Sequence, residues 1–194
     1  AYPFVASDRL SGIRLSTRPD AIDETILAEL KSFGVTTIEL GAQSMDDGLL
    51  ERANRGHTAA DTVRASGLIK DAGFTLILQM MLGLPGDDGH SFETARQIAA
   101  LRPDGVRIYP TVVIRHTRLE EMWRKGEYTP LTVEKAAELC AELIEYFENQ
   151  NIRVIRAGLN PTEELGGEVG AGPYHPAFGE LCRSRIYMKK AEAL

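Results

Sequence analysis

Cysteine is scarce in this chain: among 194 residues only Cys140 and Cys182 carry a thiol. Two cysteines cannot build a disulfide framework, and neither stands in a CxxC spacing, so a disulfide-stapled module and a zinc ribbon are excluded. A reducing, cytoplasmic setting is expected. No apolar run approaches the ~20 residues that would cross a bilayer, and the opening AYPFVASDRLSG has neither a basic nor a hydrophobic stretch. No membrane partner and no targeting leader are expected. Low-complexity segments and repeats of fixed period are absent too.

What is present has the proportions of an ordinary globular domain, with 43% hydrophobic and 26% charged residues. A chain of this size can bury a sizeable core without staples. A formal net charge of −6 argues against a general polyanion binder. The charge is segregated, however. Residues 101–126 hold six Arg or Lys against Asp104, Glu120 and Glu121, whereas residues 127–150 hold Lys135 against six glutamates. A local basic surface remains open.

Short β-rich runs alternate with amphipathic helical runs, a βαβα pattern. Strands are predicted over Gly12–Thr17, Thr36–Ala42, Phe74–Met81, Val106–Ile114 and Ile152–Arg156. Asp23 caps a helix with the apolar face Ile26, Leu27, Leu30 and Phe33, stopped by Gly34. A short helical stretch follows around Asp46–Ala53. Thr58, with Asp61 three residues on, starts a helix using Val63, Leu68, Ile69 and Ala72. Ser91 starts another. Thr132 caps the longest, whose stripe is Ala136, Leu139, Cys140, Leu143, Ile144 and Phe147. From Ala157 onward Gly and Pro dominate, so a long loop is predicted before a last helix near Phe178–Tyr187.

Parallel strands joined by helices cross over right-handedly, which leaves an α/β sheet or a TIM-like barrel. Strand parity bears on the choice. Glu39, Gly41 and Gln43 share one face against Ile38, Leu40 and Ala42; Arg14 and Ser16 oppose Ile13 and Leu15; Arg107, Tyr109 and Thr111 oppose Val106 and Ile108. A sheet with helices on both faces should be apolar on both. One polar face predicts a curved sheet, a partial (β/α) barrel of about four βα units plus a fifth strand and a C-terminal extension. The expected division is 1–11 as the remnant of a preceding segment, 12–156 as barrel, and 157–194 as loop and helix extension.

Function in such folds gathers at the C-terminal strand ends. There lie Ser16, Arg18, Glu39, Gln43, Ser44, Gln79, Tyr109 and Thr111, with Gly83-Leu84-Pro85-Gly86 as a turn-rich loop. These are the groups of a polar small-molecule pocket: hydroxyls and amides for a ribose, guanidinium for a carboxylate, glycines for close backbone approach. Glu39 reads equally as an ion-pair partner of Arg14 or Arg107. Arg55 and His57 read, on spacing alone, as turn and cap residues. Met80 and Met81 read as packing. Trp123 and Tyr128, beside Arg118, Arg124 and Lys125, offer either a base-stacking basic surface or an amphipathic helix over the barrel end. His90 reads as a turn.

Arg18-Pro19-Asp20, Glu39-Leu40-Gly41-Ala42-Gln43-Ser44, Asn54-Arg55-Gly56-His57-Thr58, Asp71-Ala72-Gly73-Phe74, Gln79-Met80-Met81 and the run Arg102 to Thr111 together, and in this order, resemble the radical S-adenosylmethionine (SAM) domain of the Elongator catalytic subunit family. A looser likeness extends to the oxygen-independent coproporphyrinogen dehydrogenases. The resemblance covers roughly residues 12–130. It implies that Gln43 contacts the SAM ribose and Arg55 the methionyl carboxylate. It implies SAM and a [4Fe-4S] cluster as cofactors, a 5′-deoxyadenosyl radical as the reactive species, and tRNA as the substrate.

The departures matter as much. The family holds its cluster with a CxxxCxxC motif after the first barrel strand, and its next strand ends in a Gly-Gly-Glu-like segment that holds the methionyl amine. Neither is in this sequence. The expectation is a C-terminal part of a larger radical SAM enzyme, with the cluster ligands outside this chain and the chain alone inactive; a natural cluster-free relative is the alternative. A small-molecule radical SAM enzyme and a non-catalytic RNA-binding or scaffold relative are the competing functions. On the expected division the first strand has an open edge, through which two copies pair as a homodimer unless residues 1–11 fold over it.

Overall fold

The computed structural model describes residues 1–192; residues 193 and 194, with which the expected extension ends, lie outside the described residues. Five parallel strands form the central sheet: β1 (Ile13–Thr17), β2 (Val35–Gln43), β3 (Thr75–Leu82), β4 (Gly105–Pro110) and β6 (Arg153–Ala157). Their spatial order is β1-β2-β3-β4-β6, the order of the sequence. That monotonic order decides the architecture. Right-handed crossovers that always step the same way put every connecting helix on one face and leave the other face free of helices. This is the winding of a TIM-like barrel, here a partial one.

The connecting helices are α2 (Glu24–Ser32), α3 (Asp47–Arg52), α4 (Ala59–Asp71), α5 (Ser91–Ala100) and α7 (Val133–Asn149). Local chemistry sets where they begin. The carboxylates of Asp23 and Asp46 accept from the N–H groups of Ile26 and Leu49, and Thr132 accepts from Lys135. Thr58 and Asp61 form a reciprocal capping box at α4. Ser91 is the first residue of α5 but not its cap; His90 holds that position without a side-chain bond, and the Ser91 hydroxyl donates instead to Asp87 at 2.7 Å.

The core lies between the helices and one face of the sheet. Ile38, Leu40, Leu76, Leu78, Met80, Leu82, Val106 and Ile108 meet Leu27, Ile69, Ile98 and the α7 stripe of Ala136, Cys140, Leu143, Ile144 and Phe147. The apolar stripe of α2 is narrower than its sequence suggests. Leu27 is buried, but Ile26 and Phe33 stay exposed, as does Val63 on α4.

Two segments depart from the sequence reading. The strand predicted to run from Val106 to Ile114 ends at Pro110. Proline has no N–H to carry the ladder onward. Val113–Ile114 then turns out of the sheet as β5 and pairs antiparallel with β7 (Val169–Ala171). The long loop predicted after Ala157 accordingly contains α8 (Glu163–Glu168) and β7 before α9 (Phe178–Glu192), which runs beyond Tyr187. A further helix, α6 (Arg118–Arg124), follows β5. Residues 1–11 open with α1 (Tyr2–Ala6), whose Tyr2 ring meets the Phe33 ring edge-on at 5.4 Å. Val5 lies over Gly34. This segment therefore covers the α2–β2 turn, and β1 keeps β2 as its single strand partner among the described residues.

Candidate functional site

The helix-free face of the sheet carries a row of polar side chains paired across strands, alongside Ile77 and Met81 of β3. Glu39 on β2 lies 3.3 Å from the Nε of Arg107 on β4. Arg107 in turn donates from Nη1 to the Tyr109 hydroxyl at 3.0 Å. Glu39 is 2% exposed, so its charge is shielded from water and the nearby guanidinium is what compensates it. Of its two anticipated partners, Arg107 is engaged and Arg14 stays exposed. The contact lacks hydrogen-bond alignment: Glu39 Oε2 and Arg107 Nε are both buried without a hydrogen-bond partner.

Nearer the strand ends, Gln79 on β3 donates from Nε2 to Gln43 Oε1 at 3.1 Å. Gln43 reaches that position through a local distortion. The β2–β3 register slips between Leu40 and Gln43, and Gln43 itself is left-handed at φ 65°. Gly41 makes room for the amide, since a Cβ there would stand 2.6 Å from Gln43 Nε2. Arg55, in the turn after α3, reaches back over the same strand end and donates to the Gly41 carbonyl at 3.4 Å. Burial, with the neighbouring Arg18 charge, pulls its guanidinium below the ordinary arginine value. Its Nε is buried with no partner.

Ser16 sits opposite Glu39 in the β1–β2 register and is exposed. Arg18 is exposed at the rim, chelating Asp20 at 2.9 and 2.6 Å and reaching the Gly56 carbonyl at 3.4 Å. That hydrogen-bonded guanidinium holds the Asp20 carboxyl below the usual range. Thr111, just past the end of β4, is buried and its hydroxyl has no partner. Ser44 is engaged elsewhere: its hydroxyl meets that of Thr94 on α5 at 3.2 Å and accepts from the Asp46 N–H, so it braces the helix layer. His57 is buried and bonds the Ala42 carbonyl at 3.1 Å, a structural contact behind the strand end.

Sequence reasoning left three contributors out of the candidate set. Arg107 carried a signal, since it shares the strand parity of Tyr109. Asp87 carried none: its carboxylate accepts from Gly83 N–H and Ser91, closing the glycine loop. Tyr128 donates to the Gly83 carbonyl at 2.7 Å, so it braces that loop and is no stacking platform. Arg118–Arg124 of that region form α6, with Trp123 on it. A groove of about 580 Å³ between β6 and α9 lies at the far sheet edge and holds none of the residues of the polar row.

A singly wound parallel sheet with a cross-paired polar row ending in Gln43, Gln79 and Tyr109 defines a class. The chain belongs to the radical SAM superfamily: it matches the Radical SAM superfamily over residues 6–99 and the Radical_SAM C-terminal domain over residues 103–190. Within that class it is similar to the tRNA uridine(34) acetyltransferase of Methanocaldococcus jannaschii, 38% identical over 140 residues, 70% of this chain and 26% of that protein. It is similar also to human Elongator complex protein 3, 36% identical over 137 residues, 69% of this chain and 25% of that protein. The matched region spans about a quarter of the length of these relatives. Among solved structures, an N-terminally deleted Elp3 of Methanocaldococcus infernus superposes with a TM-score of 0.81 at 28% identity, covering 93% of this chain and 42% of that one. The Escherichia coli coproporphyrinogen III oxidase HemN shares the fold, with a TM-score of 0.58 at 16% identity over 72% of this chain and 32% of that one.

The family's cofactors are SAM and a [4Fe-4S] cluster, and this chain fits them unequally. The cluster does not fit the residues described: Cys140 and Cys182 are buried in the core, and no group of three His, Cys, Asp or Glu side chains among the described residues could hold a metal ion. SAM does fit. The amide groups of Gln43 and Gln79, the Tyr109 phenol and the half-buried Arg55, whose Nε has no partner, are donors of the kind a ribose and a carboxylate take.

Proposed function

We propose that this chain is the SAM-binding portion of a radical SAM enzyme that modifies a tRNA uridine. The observation that supports it is the Gln43–Gln79 pair beside Gly41 and Arg55 at the C-terminal end of the sheet. In this reading the two amides meet the ribose hydroxyls and Arg55 forms a charged bond to the methionyl carboxylate. Ser16, Arg18, Glu39, Tyr109 and Thr111 complete the polar surface around them, and Ser44 acts by holding the β2 end against α5. Glu39 and Arg107 neutralise each other, so the row offers donors without a net charge that would repel the sulfonium cation. SAM bound here supplies the carbon centre from which the family derives its radical. The RNA substrate is suggested by the Methanocaldococcus jannaschii relative, which is named for tRNA uridine(34), and the setting that suits such a substrate is the cytoplasm.

Calorimetry with SAM on the cluster-loaded parent protein is the test. Binding that weakens on Gln43→Ala and on Arg55→Ala supports the reading, and unchanged affinity in both removes the residue assignment.

A further inference from the structure

Beside the polar row, the end of α3, the Gly83–Gly86 loop and the start of α6 enclose a cavity of about 370 Å³. Its wall is apolar where Met81, Leu84, Leu119 and Met122 meet, and Arg52, Arg55 and Arg118 also line it. None of the three has a carboxylate within 4.0 Å among the described residues, in a chain whose formal net charge is −6. Arg124, six residues further along α6, shows the contrast, because its guanidinium is paired with Glu120 at 2.8 Å.

Two of the lining residues, Arg55 and Thr111, belong to the surface proposed for SAM, and each has a buried polar atom without a partner, Arg55 Nε and the Thr111 hydroxyl. Buried groups of this kind ordinarily find a partner. Arg52 is held in place from behind: its Nε donates to the Pro85 carbonyl at 3.2 Å, and Gly86 at φ 83° clears the path, since a Cβ there would stand 2.6 Å from that nitrogen. The bond uses one donor and leaves the two Nη groups for something else. Guanidinium groups without a carboxylate partner and an apolar wall lining one cavity suit a phosphate whose attached sugar packs on carbon.

We infer that this cavity takes a backbone phosphate of the RNA substrate between Arg52 and Arg118, anchoring the strand beside the SAM pocket. The inference rests on the reading of the substrate as RNA and adds the side chains that grip it. The two fail separately. Each phosphate contact releases condensed counterions, so removing one lowers the slope of log K against log salt by about 1 and weakens binding uniformly across sequences.

The test is binding of an unmodified tRNA transcript to the 194-residue chain across a salt series, for wild type and for Arg118→Ala, Arg118→Lys and Arg124→Ala. Arg118 is exposed on the first turn of α6, so its replacement leaves the core untouched. Arg118→Ala is expected to weaken binding about tenfold near 0.1 M salt and to lower the slope by about 1, with Arg118→Lys restoring the slope and Arg124→Ala changing neither. Wild-type binding that Arg118→Ala leaves unchanged overturns the cavity assignment alone. Wild type without salt-dependent binding removes the RNA reading and this inference with it. SAM affinity that falls in the Arg118→Ala parent while RNA binding holds assigns the cavity to SAM and overturns it as well.

Discussion

Gln43 combines a left-handed backbone with a buried amide, and both are unusual for glutamine at the end of a strand. A non-glycine residue at positive φ is held there by its surroundings, and here Gln79 and the bare Gly41 provide them. The energetic consequence differs between the two residues proposed to hold SAM. Gln43→Ala removes a neutral hydrogen bond and is expected to cost about 1 kcal/mol of SAM affinity, whereas Arg55→Ala removes a charged one and is expected to cost up to ~3 kcal/mol. Calorimetry on the cluster-loaded parent separates them. Strand parity made the Glu39 and Arg107 row legible from the sequence, because a period of two assigns faces without tertiary information. The same argument was blind to Ser44. That residue lies one step beyond Gln43, past the register slip, where parity no longer says which way a side chain turns.

Helix starts were the most legible elements, since a cap is a contact between residues three apart. Thr58→Ala takes the acceptor from the Asp61 N–H and is expected to lower stability by about 1 kcal/mol, read as a shifted urea midpoint with an unchanged slope. Hydrogen bonds from Thr58 also hold the Asp61 carboxyl below its ordinary value. The folded chain thus binds that proton less readily than the unfolded one. The carboxylate's contribution is complete above the ordinary aspartate value of about 3.9 and is lost as the pH falls below it and through the lower folded value.

Long-range braces on loops were not legible, because their partners lie far apart in sequence. Tyr128 and Gly83 are such a pair, 45 residues apart. Burial, reinforced by the Asp87 charge, pushes the Tyr128 phenol up to about 12. Above its ordinary value of 10 the unfolded chain loses this proton first, so folded stability falls as the pH climbs toward 12. Tyr128→Phe is expected to cost about 1 kcal/mol at neutral pH, with the Gly83 carbonyl left unpaired, and to remove this alkaline phase. Denaturant titrations at neutral and alkaline pH measure both.

At the scale of the molecule, strand order was implied by the βαβα alternation, but the pairing of β5 with β7 was not. Val113–Ile114 and Val169–Ala171 are two and three residues long, too short to show a period, and some fifty residues of chain separate them. The thiol count bears on chemistry at this same scale. With Cys140 and Cys182 both buried, the 194-residue chain is expected to take up no stoichiometric iron in anaerobic reconstitution and to release no 5′-deoxyadenosine from SAM. Iron analysis and chromatography of the reaction decide it; stoichiometric iron would mean that a ligand set exists which the two cysteines do not reveal.

The last consequence follows from the edge of the sheet. β1 bonds β2 on one side and no strand on the other among the described residues, so a row of N–H and C=O groups faces outward. Tyr2, Phe4, Leu10 and Phe33 are exposed in the segments flanking it, each at 46–47%. An open edge beside apolar side chains templates pairing with another chain, and for identical chains the closed solution is a two-fold dimer with β1 antiparallel to its copy. The contacts of α1 fall on the α2–β2 turn, where Tyr2 and Val5 meet Phe33 and Gly34. Sedimentation across a concentration series is therefore expected to show a monomer–dimer equilibrium. Leu15→Pro would also disturb the β1–β2 ladder, so the discriminating variant is Phe4→Glu, which places a charge in the exposed patch without touching a buried side chain. It is expected to shift the equilibrium toward monomer while leaving the urea midpoint of the monomer unchanged. A wild-type chain that stays monomeric at the highest concentrations would show that α1 and the turn after it protect the edge by themselves.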